Sequence, residues 1–117
     1  MPNLALPQHV RHIIDTIVRK KTPEKIVLFG SHARQEEQWD SDLDILVVME
    51  TDLRPLERVL EIRRLFRQIS CALDILVYTP DEVDYWHECP SSFIYQILAE
   101  GHILYDRTTE KAGQTVG

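Results

Sequence analysis

The sequence predicts a small α/β (α+β) domain, one mixed β-sheet flanked by helices. Three observations carry that expectation. Short apolar runs alternate with segments of helical periodicity; the first two runs are joined by a link too short to cross a sheet; the second and third are joined by a full helix. A chain of 117 residues has room for one modest core. We expect residues 1–107 to form a single domain and 108–117 a flexible tail without periodicity.

The elements follow in order. Val10, Ile13, Ile14, Ile17 and Val18 recur at helical spacing, so a helix is expected over about 8–20, stopped by Lys20-Lys21-Thr22-Pro23. "KIVLF" (Lys25–Phe29) is a short strand that ends at Gly30. Ser31 is placed to cap a short helix over 32–37, and the Asp40-Ser41 turn leads into the strand "LDILVVM" at 43–49. Pro55 suits the first turn of the next helix. Its expected apolar stripe is Leu56, Val59, Leu60, Leu65, Phe66 and Ile69, with Arg58, Arg63, Arg64 and Arg67 on the wet face. "LDILVY" (Leu73–Tyr78) is the third strand. A helix opens at Pro80 with acids in its first turn, and another follows Pro90-Ser91-Ser92 and ends at Gly101. "HILYD" (His102–Asp106) is the last strand. The aromatic residues Tyr85, Trp86, Phe93 and Tyr95 are read mostly as core, and His32, His87 and His102 as structural or solvent-facing.

Strand directions come from link lengths. A parallel crossover needs a dozen or more residues and commonly a helix, so the first and second strands should be antiparallel and the second and third parallel. The end of strand one, with Gly30 and Ser31, then meets the starts of strands two and three, with Asp42, Asp44 and Asp74. "LDILV" occurs twice, which gives Asp44 and Asp74 equivalent places on neighbouring strands. Asp42 and Asp44, two apart, share a face.

Composition narrows what such a corner can do. The net charge of −6 argues against a generic binder of nucleic-acid backbones, and no direct nucleic-acid contact is expected. No apolar run approaches the length of a membrane span. Cys71 and Cys89 lack metal-ligand spacing and are read as reduced thiols, so the cytoplasm is the expected location. Three converging carboxylates repel unless a cation holds them, and hard oxygen ligands suit Mg²⁺ bound with substrate phosphates. Gly30-Ser31 at a helix start offers backbone N–H groups to an anion. In outline this is a two-metal phosphoryl-transfer site.

Gly30-Ser31, ten residues, then Asp42-Leu43-Asp44, with a third aspartate on the next strand, resembles the nucleotidyltransferase superfamily that includes DNA polymerase beta. "GSHAR" followed by "DSDLDILV" is most similar to its minimal nucleotidyltransferase (MNT) branch, over roughly residues 10–106. Gln35 departs from the pattern, since many members have Gly there. The resemblance implies the nucleotidyltransferase fold, with Asp42, Asp44 and Asp74 as metal ligands and catalytic residues, Asp74 helping to activate the attacking hydroxyl. It implies that Gly30 and Ser31 hold the triphosphate of ATP. Arg34 is a further phosphate contact or a solvated helix residue, and Ser31 a cap, a phosphate ligand or both.

Small-molecule and template-dependent members carry additional domains for their acceptors, so the expected acceptor here lies on a partner protein. MNT proteins commonly pair, as antitoxins, with a helical HEPN ribonuclease toxin that they modify with AMP. The expectation is thus a Mg²⁺-dependent AMP transferase acting on a partner hydroxyl, most plausibly a tyrosine. The alternatives are a non-catalytic antitoxin that works by occlusion and an antibiotic-type small-molecule nucleotidyltransferase completed by oligomerisation.

Overall fold

The structure, a computed structural model, describes residues 6–30, 43–66 and 73–108. The elements run α1 (Gln8–Lys21), β1 (Lys25–Phe29), β2 (Leu43–Val48), α2 (Pro55–Arg63), β3 (Leu73–Tyr78), α3 (Pro80–Trp86), α4 (Phe93–Glu100) and β4 (His102–Asp106). Among the described residues the strands form a four-stranded sheet in the order β3-β2-β1-β4. β1 is antiparallel to β2, and β2 is parallel to β3, as the link lengths predict. β4 closes the other edge, antiparallel to β1, with a register shift between Ile26 and Val27.

Strand alternation sends side chains to two cores. Ile26, Leu28, Leu43, Ile45, Val47, Leu73, Ile75 and Val77 face α1 and α2, joining Val10, Ile13, Ile14, Ile17 and Ile62. Val27, Leu46 and Val48 face the opposite way, onto Ile94 and Ile97 of α4 and Val83 of α3. Asp44 and Asp74 alternate with the first set, so they lie on the second face, the α4 side of the sheet. α1 buries the stripe its spacing predicts. It stops at Thr22, whose left-handed backbone (φ 44°) lets its N–H close on the Val18 carbonyl, and Pro23 follows.

α2 departs from the expected stripe. Arg58, placed on the wet face, is buried, while Leu56 and Leu60, placed inside, are 70% and 44% exposed. Ile62 is fully buried, with Val59 and Phe66 packed on the same core. The physical reason is the satisfaction of Arg58. Its Nε donates to the Leu53 carbonyl (2.8 Å), its Nη1 to the Val77 carbonyl (3.2 Å), and Nη1 and Nη2 to the Glu82 carboxylate (2.8 and 3.3 Å). A guanidinium with that many acceptors is stable inside, and it turns the helix so that two leucines face outward. The aromatic residues are corrected in the same sense, since Tyr85, Trp86, Phe93 and Tyr95 are all exposed. Tyr85 and Trp86 stack edge to face on each other, and Phe93 on Phe29, which shields part of each ring without a core around it.

Thr79 and Glu82 cap α3 reciprocally, and Ser92 caps α4 by accepting from the Tyr95 N–H. The expected short helix at 32–37 lies outside the described residues. So does the tail beyond Thr108, whose own N–H donates to the Asp106 carboxylate (2.9 Å).

Candidate active site

β1 and β2 bring the site's backbone together. Phe29, the last residue of β1, is opposite Asp44, the second residue of β2, so Gly30 emerges directly against the Asp44 side chain. Gly30 has φ +78°, a conformation open to glycine and strained for other residues. A Cβ there would also collide with the Asp44 carboxylate. Backbone conformation and contact therefore demand glycine independently, since any side chain there would intrude on the Asp44 carboxylate.

The parallel pairing of β2 and β3 supplies the next carboxylate. Asp44 is in register with Asp74, on the same face and one strand over, a spacing of about 4.8 Å between backbones. Asp44 is half-buried and Asp74 is 63% exposed. Two like charges at that separation repel and gain from a shared cation. Their oxygens are the hard donors that a divalent ion such as Mg²⁺ takes. The residues present thus fit such an ion.

Of the residues predicted for the site, Gly30, Asp44 and Asp74 are brought to this one corner of the sheet. Ser31, Arg34 and Asp42 lie outside the described residues, and among those described no group of three or more potential metal-ligating side chains is found. One neighbour was not foreseen. Arg63, in the last turn of α2, brings Nη2 to 4.0 Å from Asp74 Oδ1, a long and half-exposed ion pair worth little in stability. Its spacing in the chain carries no signal of that contact. A cleft of about 280 Å³ also opens beside Gly30, lined by Phe29, Phe93, Gln96, Ile97 and Glu100.

Residues 11–110 match the family model for polymerase beta, nucleotidyltransferase. With most of its length matched, the chain belongs to this nucleotidyltransferase family, and nucleotidyl transfer, with a nucleoside triphosphate and a divalent metal ion, is the chemistry of its class. Solved structures agree on the fold. A candidate nucleotidyltransferase from Sulfolobus solfataricus is similar at 20% identity and a TM-score of 0.61, over 86% of this chain and 80% of that one. A toxin–antitoxin structure with AMP-PNP is similar at 21% identity and a TM-score of 0.55, over 86% of this chain and 74% of that one. BolA1 from Arabidopsis thaliana is similar at 16% identity and a TM-score of 0.54, over 66% of this chain and 98% of that one. At these identities the likeness is one of fold. Comparison with curated proteins finds no match. No described helix is long and apolar enough to cross a membrane.

Proposed function

We propose that this protein transfers AMP from ATP to a hydroxyl, most simply a tyrosine, of a HEPN-type toxin and thereby acts as its antitoxin. The observation that carries the transferase half is the registered pair Asp44 and Asp74, with Gly30 in a left-handed conformation directly against the Asp44 carboxylate. Support for the partner half is the shared fold with a toxin–antitoxin structure holding an ATP analogue. An open rim adds to it, since Asp74 is largely exposed and a side chain on another protein's surface can reach it.

In this reading Asp42, Asp44 and Asp74 hold Mg²⁺, two ions in the full site. When bound, the metal neutralises phosphate charge and makes the attacking hydroxyl more acidic. Gly30 and Ser31 present backbone N–H groups to the triphosphate, and Arg34 adds a charge there. Asp74, the most exposed of the described carboxylates at the corner, accepts the proton from the acceptor hydroxyl. The hydroxyl oxygen bonds to the α-phosphorus, the bond to the bridging oxygen breaks, and pyrophosphate leaves. The adduct gives the toxin a bulky anion near its RNA site, which repels RNA phosphates.

The test is the intact mass of a co-encoded HEPN partner after incubation with this protein, ATP and Mg²⁺. A gain of one or more AMP masses, lost in Asp42→Ala/Asp44→Ala, is expected along with loss of ribonuclease activity. Full inhibition at unchanged mass, retained by the double variant, would replace transfer with occlusion.

A further inference from the structure

α3 and α4 pack on the sheet face that carries Asp44 and Asp74, and their outer surface is aromatic without being core. Tyr85, Trp86 and Phe93 are exposed, Tyr85 at 74%, and no residue of α3 is buried. The three rings form one strip. Trp86 meets Tyr85 edge to face, with centroids 4.8 Å apart, and shares with Phe93 a cleft of about 250 Å³ whose described lining adds Tyr78, Ser92 and Ile94. That is smaller than the roughly 300–1,000 Å³ of pockets that enclose a small ligand, and it suits a single side chain. Phe93 in turn packs on Phe29, the residue opposite Asp44 and next to Gly30, so the strip ends at the carboxylate corner.

Charge along the strip has one sign. Between Arg67 and Arg107 the sequence holds no lysine or arginine, and Asp81, Asp84 and Glu88 stand exposed around Tyr85 and Trp86. Glu82 on the same helix is committed to Arg58, but the Asp81 and Asp84 carboxylates make no hydrogen bond or ion pair among the described residues. Three apart on α3, they repel. Asp81 gains a little from the dipole at the helix start, whereas Asp84, further along, has no such reason to be there. An aromatic strip with a cleft and an acidic rim is complementary to a basic surface that carries an apolar anchor.

We propose that this strip docks the basic, RNA-binding face of the partner ribonuclease, an inference that rests on the antitoxin reading above for the partner's identity. A protein that holds RNA presents arginines and lysines to the phosphates. Arginine stacks on the faces of Trp and Tyr while its planar fork pairs with a carboxylate, and Tyr85 and Trp86 beside Asp81 and Asp84 offer both. A second copy of this chain is the poorer occupant, since an acidic rim would meet an acidic rim. Docking here covers the RNA site before any transfer takes place, and it brings the partner up to the corner at Gly30, where its hydroxyl is to be modified.

Surface plasmon resonance against the immobilised co-encoded partner, without ATP or Mg²⁺, reads docking apart from chemistry. Tyr85→Ala/Trp86→Ala should weaken binding about a hundredfold. Tyr85→Ala alone, at the most exposed of the three rings, should weaken it about tenfold and serves if the double variant fails to fold. Asp81→Asn/Asp84→Asn should slow association about tenfold at low salt and flatten its salt dependence. Leu56→Ser/Leu60→Ser, at the exposed apolar pair on α2, should bind as the parent does. A 2′-O-methyl RNA oligonucleotide, which the partner holds but cannot cleave, should be displaced by the parent and equally by Asp42→Ala/Asp44→Ala. Binding lost in the α2 variant and kept in the α3 variants, or RNA and this protein held by the partner together, would overturn the docking surface and leave AMP transfer standing. Self-association of the parent that the α3 variants abolish would give the strip to a second copy. Docking abolished by the Tyr85 variants, with the partner's mass unchanged under ATP and Mg²⁺, would instead keep the surface and sink the transfer reading.

Discussion

β3 has a charge cluster at each end, and the two are built on opposite principles. At its start Asp74 stands in register with Asp44, two charges of one sign at the sheet edge, with Arg63 at long range. At its end the Val77 carbonyl and Glu82 enclose Arg58, charges of opposite sign joined by hydrogen bonds from 2.8 to 3.3 Å. Arg58 is 9% exposed, so leaving it unpaired would be costly, and each bond there serves to keep α2, β3 and α3 together. Electrostatic opposition at Asp44 and Asp74 does nothing for the fold. A carboxylate pair retained against its own repulsion is the mark of a binding site; a charge enclosed by its opposite is the mark of architecture.

Substitutions should therefore separate activity from stability in opposite directions. The largest expected effect is on turnover: Asp44→Ala should reduce AMP transfer by on the order of a thousandfold or more, with thermal unfolding unchanged or raised because repulsion is relieved. A stability loss matching the activity loss would make Asp44 a structural residue.

Arg58→Ala should do the reverse. Losing the buried donors to Leu53, Val77 and Glu82 should cost about 2–3 kcal/mol, measured by chemical denaturation, while the transfer rate per folded molecule stays near that of the parent. A large fall in rate at full stability would join the two clusters into one functional unit.

The smallest effect is in pH. The hydrogen bond from Arg58 is the chief cause that holds the Glu82 carboxyl below its ordinary value of 4.5, with the Thr79 backbone N–H assisting and partial burial opposing. A depressed value in the folded state means that the folded protein favours the ionised form more than the unfolded chain does. That stabilisation is complete above pH 4.5 and is lost as pH falls through the lower folded value. Glu82 is more than a third exposed, so solvent screening keeps the effect modest. Denaturation midpoints of the parent should fall below that pH more steeply than those of Glu82→Gln; parallel curves would show that the pair carries no linkage.

Strand senses and the meeting of Gly30, Asp44 and Asp74 could be read from the sequence because they depend on local quantities. The shorter link, residues 30–42, favours an antiparallel return, the longer one, with a full helix, permits a crossover, and period-two alternation assigns a face. The repeated "LDILV" even set the register, since pairing like with like keeps both apolar sets inside. α1 was legible for a similar reason: its stripe is wide and uninterrupted.

α2 was less so, because its periodicity allows more than one rotation about the helix axis. Residues 56 and 60 make as good a stripe as 59, 62 and 66 until the carbonyl of Val77 and the carboxylate of Glu82 are known to be in place for Arg58. Phe93 and Tyr95 misled in the same way, since aromatic residues at an α4 start look like core whether the neighbouring surface covers them or leaves them open.

By itself, then, the sequence determined the order and sense of the first three strands and the corner where carboxylates and glycine meet, all consequences of chain length and backbone period. Tertiary structure alone decided that β4 pairs with β1, that Arg63 reaches Asp74, that Arg58 turns α2, and that Phe93 and Gln96 border a cleft at Gly30. Each of those depends on which surfaces far apart in the chain come to face one another, and periodicity along one segment carries no information about its distant neighbour.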